Sequence, residues 1–211
     1  MLVSNNELLL VQDLLQDSIL TLSLAVLIII LSQVYKKSFF ATLIFFVALL
    51  SLVNLVPIYR GSSLVQLVRG GIGDVSIASG VLLIMLVYRL FGMRNSLELF
   101  TFVERLLVVI LGGVLYLSAF GFISLDVYSY GYIESITCLS VFVAIIFVLL
   151  ILNLTLGYIW LIAFIGYYFH LLESHNLCDY LFDPIFWMVM LSVFITKYTS
   201  ILIYKNKKAR D

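Results

Sequence analysis

The chain has 211 residues, of which 64% are hydrophobic and only 11% are charged, and its 12 basic residues balance its 12 acidic residues. Soluble domains average about 45–50% apolar and about 25% charged residues, so this composition excludes an ordinary soluble domain. The even charge balance gives no basic patch that would favour nucleic acid as a partner. Backbone groups in lipid must be satisfied within the protein, and the long apolar runs favour helices over a barrel.

The N-terminal segment, residues 1–17, is predicted to be short and extracytoplasmic. It contains Glu7, Asp13 and Asp17 but no Lys or Arg before the first apolar run, so we expect no cleaved signal peptide. Its apolar residues recur at helical spacing. The segment is therefore either a short interfacial helix or a helical lead-in to the first span.

The rest of the chain predicts an all-α, polytopic bundle of about seven transmembrane helices, because apolar runs near 20 residues match the thickness of a bilayer. The last residues, 205–211, form a basic tail that we expect in the cytoplasm. The predicted bundle occupies residues 18–204, with spans at about 18–35, 38–59, 75–92, 106–125, 135–152, 156–172 and 185–204.

The uncharged stretch 135–169 decides the number of spans. As one α-helix it would be about 52 Å long, which exceeds the ~30 Å hydrocarbon core of a bilayer. Asn153 and Gly157 are its best turn formers. We therefore predict two spans with a turn at these residues, and one long span is the alternative.

Orientation follows from the distribution of basic residues. With seven spans only Arg60 and Arg69 lie opposite the other basic residues, and positive charge favours the cytoplasmic side. The N-terminus is then outside and the C-terminus inside, and we expect a bacterial inner membrane. The basic residues that share the cytoplasmic side or lie toward it are Lys36, Lys37, Arg89, Arg94, Arg105, Lys197, Lys205, Lys207, Lys208 and Arg210.

The first candidate site is the glycine-rich run before the third span, which contains Arg69 and Asp74. Free N–H groups near a helix N-terminus can hold an anion. Together with Arg60, these residues are candidates for binding an anion or a lipid headgroup on the outer face. The alternative is that the glycines form a turn and Arg69 pairs with Asp74.

The second candidate is a polar cluster that the seven-span topology places on the outer face. His170 and Glu173 are three residues apart and would share a helix face. The sequence HLLESH does not match a zinc-protease motif, so we predict neither a metal site nor a cofactor. The members of this predicted cluster are Asp126, Glu134, His170, Glu173, His175, Asp179 and Asp183.

Three further residues have open interpretations. Cys138 and Cys178 both lie toward the predicted outer side, where a disulfide between them is a candidate, and two unrelated reduced thiols are the alternative. Lys197 is a charge inside a span, which suggests a functional site unless its side chain snorkels to the interface.

Two other features concern the region around the fourth span. The connection 93–105, which contains Glu104 and Arg105, is predicted to be solvated. The fourth span carries small residues, including Gly112 and Gly113. Small faces let helices approach closely, and here we expect packing within the bundle.

The function is predicted mainly from what the sequence lacks. The spans carry almost no charge, the loops are short, and no catalytic motif is present. We therefore predict a non-catalytic membrane subunit or accessory protein, with the lipid bilayer and a membrane protein as its partners. One alternative is an enzyme or binding protein for a lipid or polyprenyl phosphate, with its site on the outer face. Another is a small transporter or channel, for which Lys197, Asn54 and Asn153 are the few available polar residues.

Overall fold

A computed structural model describes residues 5–36, 38–59, 61–92, 99–132 and 136–208, without the side chains of residues 5, 6, 136–138 and 200–208. Within these residues the protein is helical, with nine α-helices and one short two-stranded hairpin. The all-α class is therefore confirmed. The chain divides into two compact units: the first comprises Met1–Leu99 and Ile159–Leu181, and the second comprises Phe100–Tyr158 and Phe182–Asp211.

The first unit is organised around its long N-terminal helix, α1, which packs against α2, α3 and α4. A 3-10 turn at Val34–Lys36 leads from α1 to α2, and the antiparallel strands β1 and β2 lie between α2 and α3. The elements in chain order are α1 Asn5–Ser32, α2 Phe39–Leu55, β1 Pro57–Tyr59, β2 Ser62–Ser63, α3 Leu64–Ile72 and α4 Ile77–Phe91, and the short helix α8 Leu177–Leu181 also belongs to this unit.

Two groups of buried apolar side chains hold the first unit together. Both groups include residues of α1, whose inward face carries apolar residues at helical spacing. The first group is Ile19, Leu20, Val53, Val65 and Val75. The second group is Ala25, Val26, Ile29, Leu49 and Leu90.

The second unit contains α5 Phe102–Ala119, α6 Ile136–Ile151 and α9 Pro184–Lys208, together with a 3-10 turn at Tyr128–Tyr132. Helices α5 and α9 pack together where Trp187 lies against Gly112. The indole Nε1 donates a hydrogen bond to the Val109 carbonyl oxygen at 3.1 Å. The predicted packing role of the small residues is thereby confirmed for Gly112.

The predicted break within residues 135–169 is confirmed. Helix α6 ends at Ile151 and α7 runs from Thr155 to Tyr168. Asn153 adopts a positive φ of 52°, a conformation that asparagine tolerates better than most residues. A Cβ atom at Gly157 would lie 2.9 Å from the Leu149 Cβ, so glycine permits α7 to approach the end of α6.

Several element boundaries differ from the predicted spans. Helix α1 begins at Asn5 and continues through the acidic segment, as in the lead-in interpretation. The predicted loop 60–74 contains α3. Helices α5 and α7 end before the predicted limits, at Ala119 and Tyr168, and α9 extends into the predicted tail as far as Lys208. Pro184 begins α9, as its fixed φ favours.

Two helices of the described chain are long and apolar enough to cross a membrane. They are Glu7–Ser32, with 26 residues, and Phe102–Ala119, with 18 residues. Their length and composition suggest membrane association. The other apolar helical stretches whose side chains are described have 10–17 residues, among them the part of α9 from Pro184 to Thr199.

Candidate functional site

The first candidate site surrounds Arg69, which lies in the last turn of α3. A capping box fixes the start of this helix: Ser63 Oγ accepts a hydrogen bond from the Gln66 N–H, and Gln66 Oε1 accepts one from the Ser63 N–H. Gly73 ends the helix with a φ of 83°, which favours glycine. Asp74 therefore follows α3 directly and returns toward Arg69.

Four carboxylates surround the Arg69 guanidinium, and we call these five residues the Arg69 cluster. The Nη1 atom lies 2.9 Å from Asp13 Oδ1 and 3.5 Å from Asp17 Oδ1. Nε donates to Asp74 Oδ1 at 3.1 Å, and Nη2 lies 3.9 Å from Glu173 Oε1. The predicted pairing of Arg69 with Asp74 is confirmed, and residues from α1 and from the segment after α7 join it.

Of the two interpretations of Arg69, an anion or lipid-headgroup site and a pairing with Asp74, this arrangement favours the pairing. Burial alone would lower the pKa of Arg69, but hydrogen bonds to Asp13 and Asp74 and the charges of both carboxylates raise it. The guanidinium therefore stays charged, and its donors already serve carboxylates. An added phosphate would meet four negative groups around one positive group. Arg60, the other predicted cation, lies outside the described residues.

Two buried glutamines of α1 were missed by the sequence predictions. Gln16 exchanges two hydrogen bonds with the backbone of Val75: its Nε2 donates to the carbonyl oxygen at 3.1 Å, and its Oε1 accepts from the N–H at 2.9 Å. Gln12 Nε2 donates to the carbonyl oxygens of His170 and Leu172 at 2.8 and 3.1 Å. The available signal was the spacing of four residues between two amides on a helix rich in leucine.

An open cleft of about 380 Å³ lies beside the Arg69 cluster. His170 lies two residues after the end of α7 and has a φ of 50°. Its ring lies against that of His175 with a centroid separation of 5.6 Å. Glu173 belongs to both the cleft and the Arg69 cluster. The cleft is lined by Leu8, Leu9, Gln12, His170, Glu173 and His175.

The segment after the cleft is held by a buried tyrosine. The Tyr180 hydroxyl accepts a hydrogen bond from the Leu172 N–H at 3.0 Å and lies 3.1 Å from the Ser174 carbonyl oxygen. Burial raises the pKa of Tyr180, although its hydrogen bond with the Leu172 backbone opposes the shift. Asp179 accepts a hydrogen bond from Ser174 Oγ. Asp179 therefore stabilises this turn from within.

The remaining members of the predicted polar cluster belong to the second unit or lie outside the described residues. Asp183 is buried and caps α9, because its Oδ1 accepts from the Phe186 N–H at 2.7 Å. Asp126 Oδ1 accepts from the Ser129 N–H at 3.1 Å. Glu134 is outside the described residues. The first unit thus brings together His170, Glu173 and His175, with Asp179 nearby in the chain.

The two cysteines and Lys197 keep their open interpretations. Cys178 is half-buried and forms no disulfide with any side chain that the structure describes. Burial, with a smaller effect of the Asp179 charge, raises the pKa of its thiol to about 11. The side chain of Cys138 lies outside the described part, so the predicted disulfide stays a prediction. Lys197 is half-buried on α9.

The prediction that residues 93–105 are solvated is wrong for Glu104 and Arg105, which are 1% and 9% exposed. Glu104 Oε2 accepts from the Thr101 N–H at 2.6 Å and closes a capping box at the start of α5. Its Oε1 accepts from the Leu156 N–H at 2.8 Å, in the first turn of α7. The Thr-x-x-Glu spacing signals the first contact, whereas the second depends on tertiary structure.

Across the described residues, no group of three or more His, Cys, Asp or Glu side chains converges in a way that could hold a metal ion. Comparison with known proteins found no matching family model, no matching curated protein and no matching solved structure.

Proposed function

We propose that the protein is a multi-pass membrane protein with seven spans, formed by α1, α2, α4, α5, α6, α7 and α9. Helices α2 and α7 have 17 and 14 residues, which correspond to about 25 and 21 Å. These lengths are somewhat below a ~30 Å hydrocarbon core, and local thinning of the bilayer accommodates such a mismatch. Helix α1 is longer, but its apolar part follows Asp17.

The proposed orientation has the N-terminus outside and the C-terminus in the cytoplasm of a bacterium. The support is the positive charge of the α1–α2 turn and of the end of α9, which this topology places on one side. The acidic first half of α1 then lies outside, together with Arg69 and the cleft. These positions depend on the proposed seven-span topology.

We propose that the protein acts as a non-catalytic subunit or accessory protein of the inner membrane, through a membrane-protein partner. The proposal rests on one observation: the charged side chains best suited to catalysis form ion pairs and hydrogen bonds within the protein. Arg69 is engaged by Asp13 and Asp74, and Glu104 serves the N-termini of two helices. What the described helices offer to other molecules is mainly apolar surface, such as Ile44 and Phe147, which are 70% and 64% exposed.

The topology is tested by fusing a reporter that is active only outside the cytoplasm after Asp211, and a second copy within the turn between α3 and α4. The seven-span arrangement predicts an inactive C-terminal fusion and an active fusion in the turn. An active reporter after Asp211 would contradict it.

The partner is tested with a photoreactive amino acid placed, one position at a time, at exposed apolar sites of the full chain in native membranes. Ile44 and Phe147 are suitable sites, and buried Val53 is the matched control. We expect at least one exposed site to crosslink to a single protein that also co-purifies in mild detergent. Crosslinks to lipid alone at every exposed position would contradict the accessory function.

A further inference from the structure

The cleft beside the Arg69 cluster joins an apolar wall to a polar wall. Leu8 and Leu9 of α1 form the apolar side, and His170, Glu173 and His175 form the polar side. All of these residues belong to the first unit. Helix α1 also exposes Leu10 and Leu14, at 61% and 60%. A site with this lining suits a molecule that has both a polar head and an apolar chain.

The charged residues around the cleft determine which charge a bound headgroup can carry. Glu173 and Asp13 are 58% and 59% exposed at their side chains, whereas Arg69 is 21% exposed and engaged with carboxylates. Glu173 Oε1 lies 3.9 Å from the guanidinium, which is beyond hydrogen-bond distance, so this carboxylate can accept from another donor. A purely anionic head would be repelled here, and a head with an ammonium group would be attracted.

The two histidines add a second kind of contact. A neutral imidazole carries one N–H donor and one acceptor nitrogen, and a phosphate oxygen readily accepts from such a donor. His170 and His175 lie against each other at one side of the cleft, and both are exposed. The cleft therefore offers donors for a phosphate beside an acceptor for an ammonium group.

We propose that this cleft binds the headgroup of an amine-bearing phospholipid. Its ammonium group donates to the Glu173 carboxylate, its phosphate accepts from His170 or His175, and the start of its acyl chain lies along Leu8 and Leu9. This inference goes beyond the accessory function and does not depend on a protein partner. It differs from the sequence candidate, in which Arg60, Arg69 and Asp74 would bind an anion or a lipid headgroup.

The proposal distinguishes three lipids that share a phosphate and acyl chains. Phosphatidylethanolamine offers N–H donors to Glu173. Phosphatidylcholine carries the same positive charge but has no N–H donor. Phosphatidylglycerol has no cation. A charge-assisted hydrogen bond contributes enough to expect about tenfold tighter binding of phosphatidylethanolamine than of either other lipid.

The test uses the full chain, purified in detergent and titrated with each lipid while native mass spectrometry counts the bound molecules. In the wild type we expect the preference for phosphatidylethanolamine, and in Glu173→Gln we expect its advantage over phosphatidylcholine to be lost. Asp126→Asn is the matched control, because it removes an exposed carboxylate from the second unit, and it should keep the preference. Equal binding of the three lipids to the wild type, or an unchanged preference in Glu173→Gln, would overturn the proposal.

Two further arms separate the alternatives. Soluble glycerophosphoethanolamine carries the same phosphodiester head without acyl chains, and we expect it to bind at least about tenfold more weakly, since burial of apolar groups along Leu8 and Leu9 is lost. Binding as tight as that of the lipid would overturn the lipid assignment. Thermal unfolding checks the fold of each variant. If Glu173→Gln does not fold, the double variant His170→Ala, His175→Ala replaces it. Both donors to the shared phosphate are then removed, so binding of all three lipids should weaken by at least about tenfold, and unchanged binding would overturn the proposal.

Discussion

Replacement of Glu104 by glutamine tests whether one carboxylate supports two helix N-termini. The side chain is 1% exposed, with Oε2 accepting from Thr101 N–H at 2.6 Å and Oε1 accepting from Leu156 N–H at 2.8 Å. Glutamine has the same shape but only one acceptor oxygen. Its NH₂ group would face a backbone N–H, so one of the two buried donors would lose its partner.

The loss in free energy of unfolding expected for Glu104→Gln follows from these two hydrogen bonds. A hydrogen bond to a charged group contributes about 1.5–3 kcal/mol, and leaving a buried donor unsatisfied costs about 1–3 kcal/mol. Because these two values describe overlapping effects, we expect Glu104→Gln to lower the free energy of unfolding by about 2–4 kcal/mol. The control Thr101→Ala removes only the cap side chain, which accepts from the Glu104 N–H at 3.3 Å, and should cost about 1 kcal/mol.

Hydrogen exchange by mass spectrometry locates the effect. In Glu104→Gln the first turns of α5 and α7 should both exchange at least about tenfold faster, which corresponds to about 1.4 kcal/mol of local stability. In Thr101→Ala the faster exchange should be confined to the start of α5. Unchanged exchange around Leu156 in Glu104→Gln would refute the bridging role and leave only a local capping box.

Two more predictions rest on single contacts. In a Cys138→Ser background, alkylation of Cys178 should be about 100-fold slower at pH 8 than that of an ordinary thiol, and should rise until the pH reaches about 11, because only the thiolate reacts. Because the pKa of Cys178 is raised on folding, the protonated thiol stabilises the fold fully below the ordinary thiol pKa, and this stabilisation is lost as the pH rises toward 11. A midpoint of the alkylation rate near pH 9 would contradict the raised pKa. In Gly112→Ala the new Cβ would lie 2.3 Å from Trp187 Cδ1, so the indole must move and unfolding should become easier by about 1–3 kcal/mol. Gly113→Ala is its control, since that Cβ would be 3.8 Å from the indole; equal stability of the two variants would refute the argument.

The helices and several of their ends could be predicted because their causes are local. Long apolar runs require the backbone to satisfy its own hydrogen bonds. Asn153 favours the turn that ends α6, and Pro184 suits the first position of α9. The pairing of Arg69 with Asp74 joins residues five positions apart. Each of these predictions depends on residues within one or two turns of each other.

The candidate site could be predicted only in part. The nearness of His170, Glu173 and His175 follows from their positions in the sequence, and the structure adds Leu8, Leu9 and Gln12 to the same cleft. The sequence candidates around Arg69 did not include Asp13 and Asp17, which lie beside its guanidinium. These acids precede Arg69 by more than 50 residues, as the Asp17 separation of 52 shows. Nothing local indicates which turn of α1 faces α3.

The sequence by itself determined the helical class, the break at Asn153 and the local partner of Arg69, because apolar runs, turn formers and neighbouring charges act over a few residues. The tertiary structure alone decided that Glu104 is buried between two helix starts and that Gln16 pairs with Val75, 59 residues away. A buried polar group needs a partner wherever the packing of helices provides one. The sequence shows that such a polar residue needs a hydrogen-bond partner if it is buried. Only the tertiary structure shows which residue is that partner.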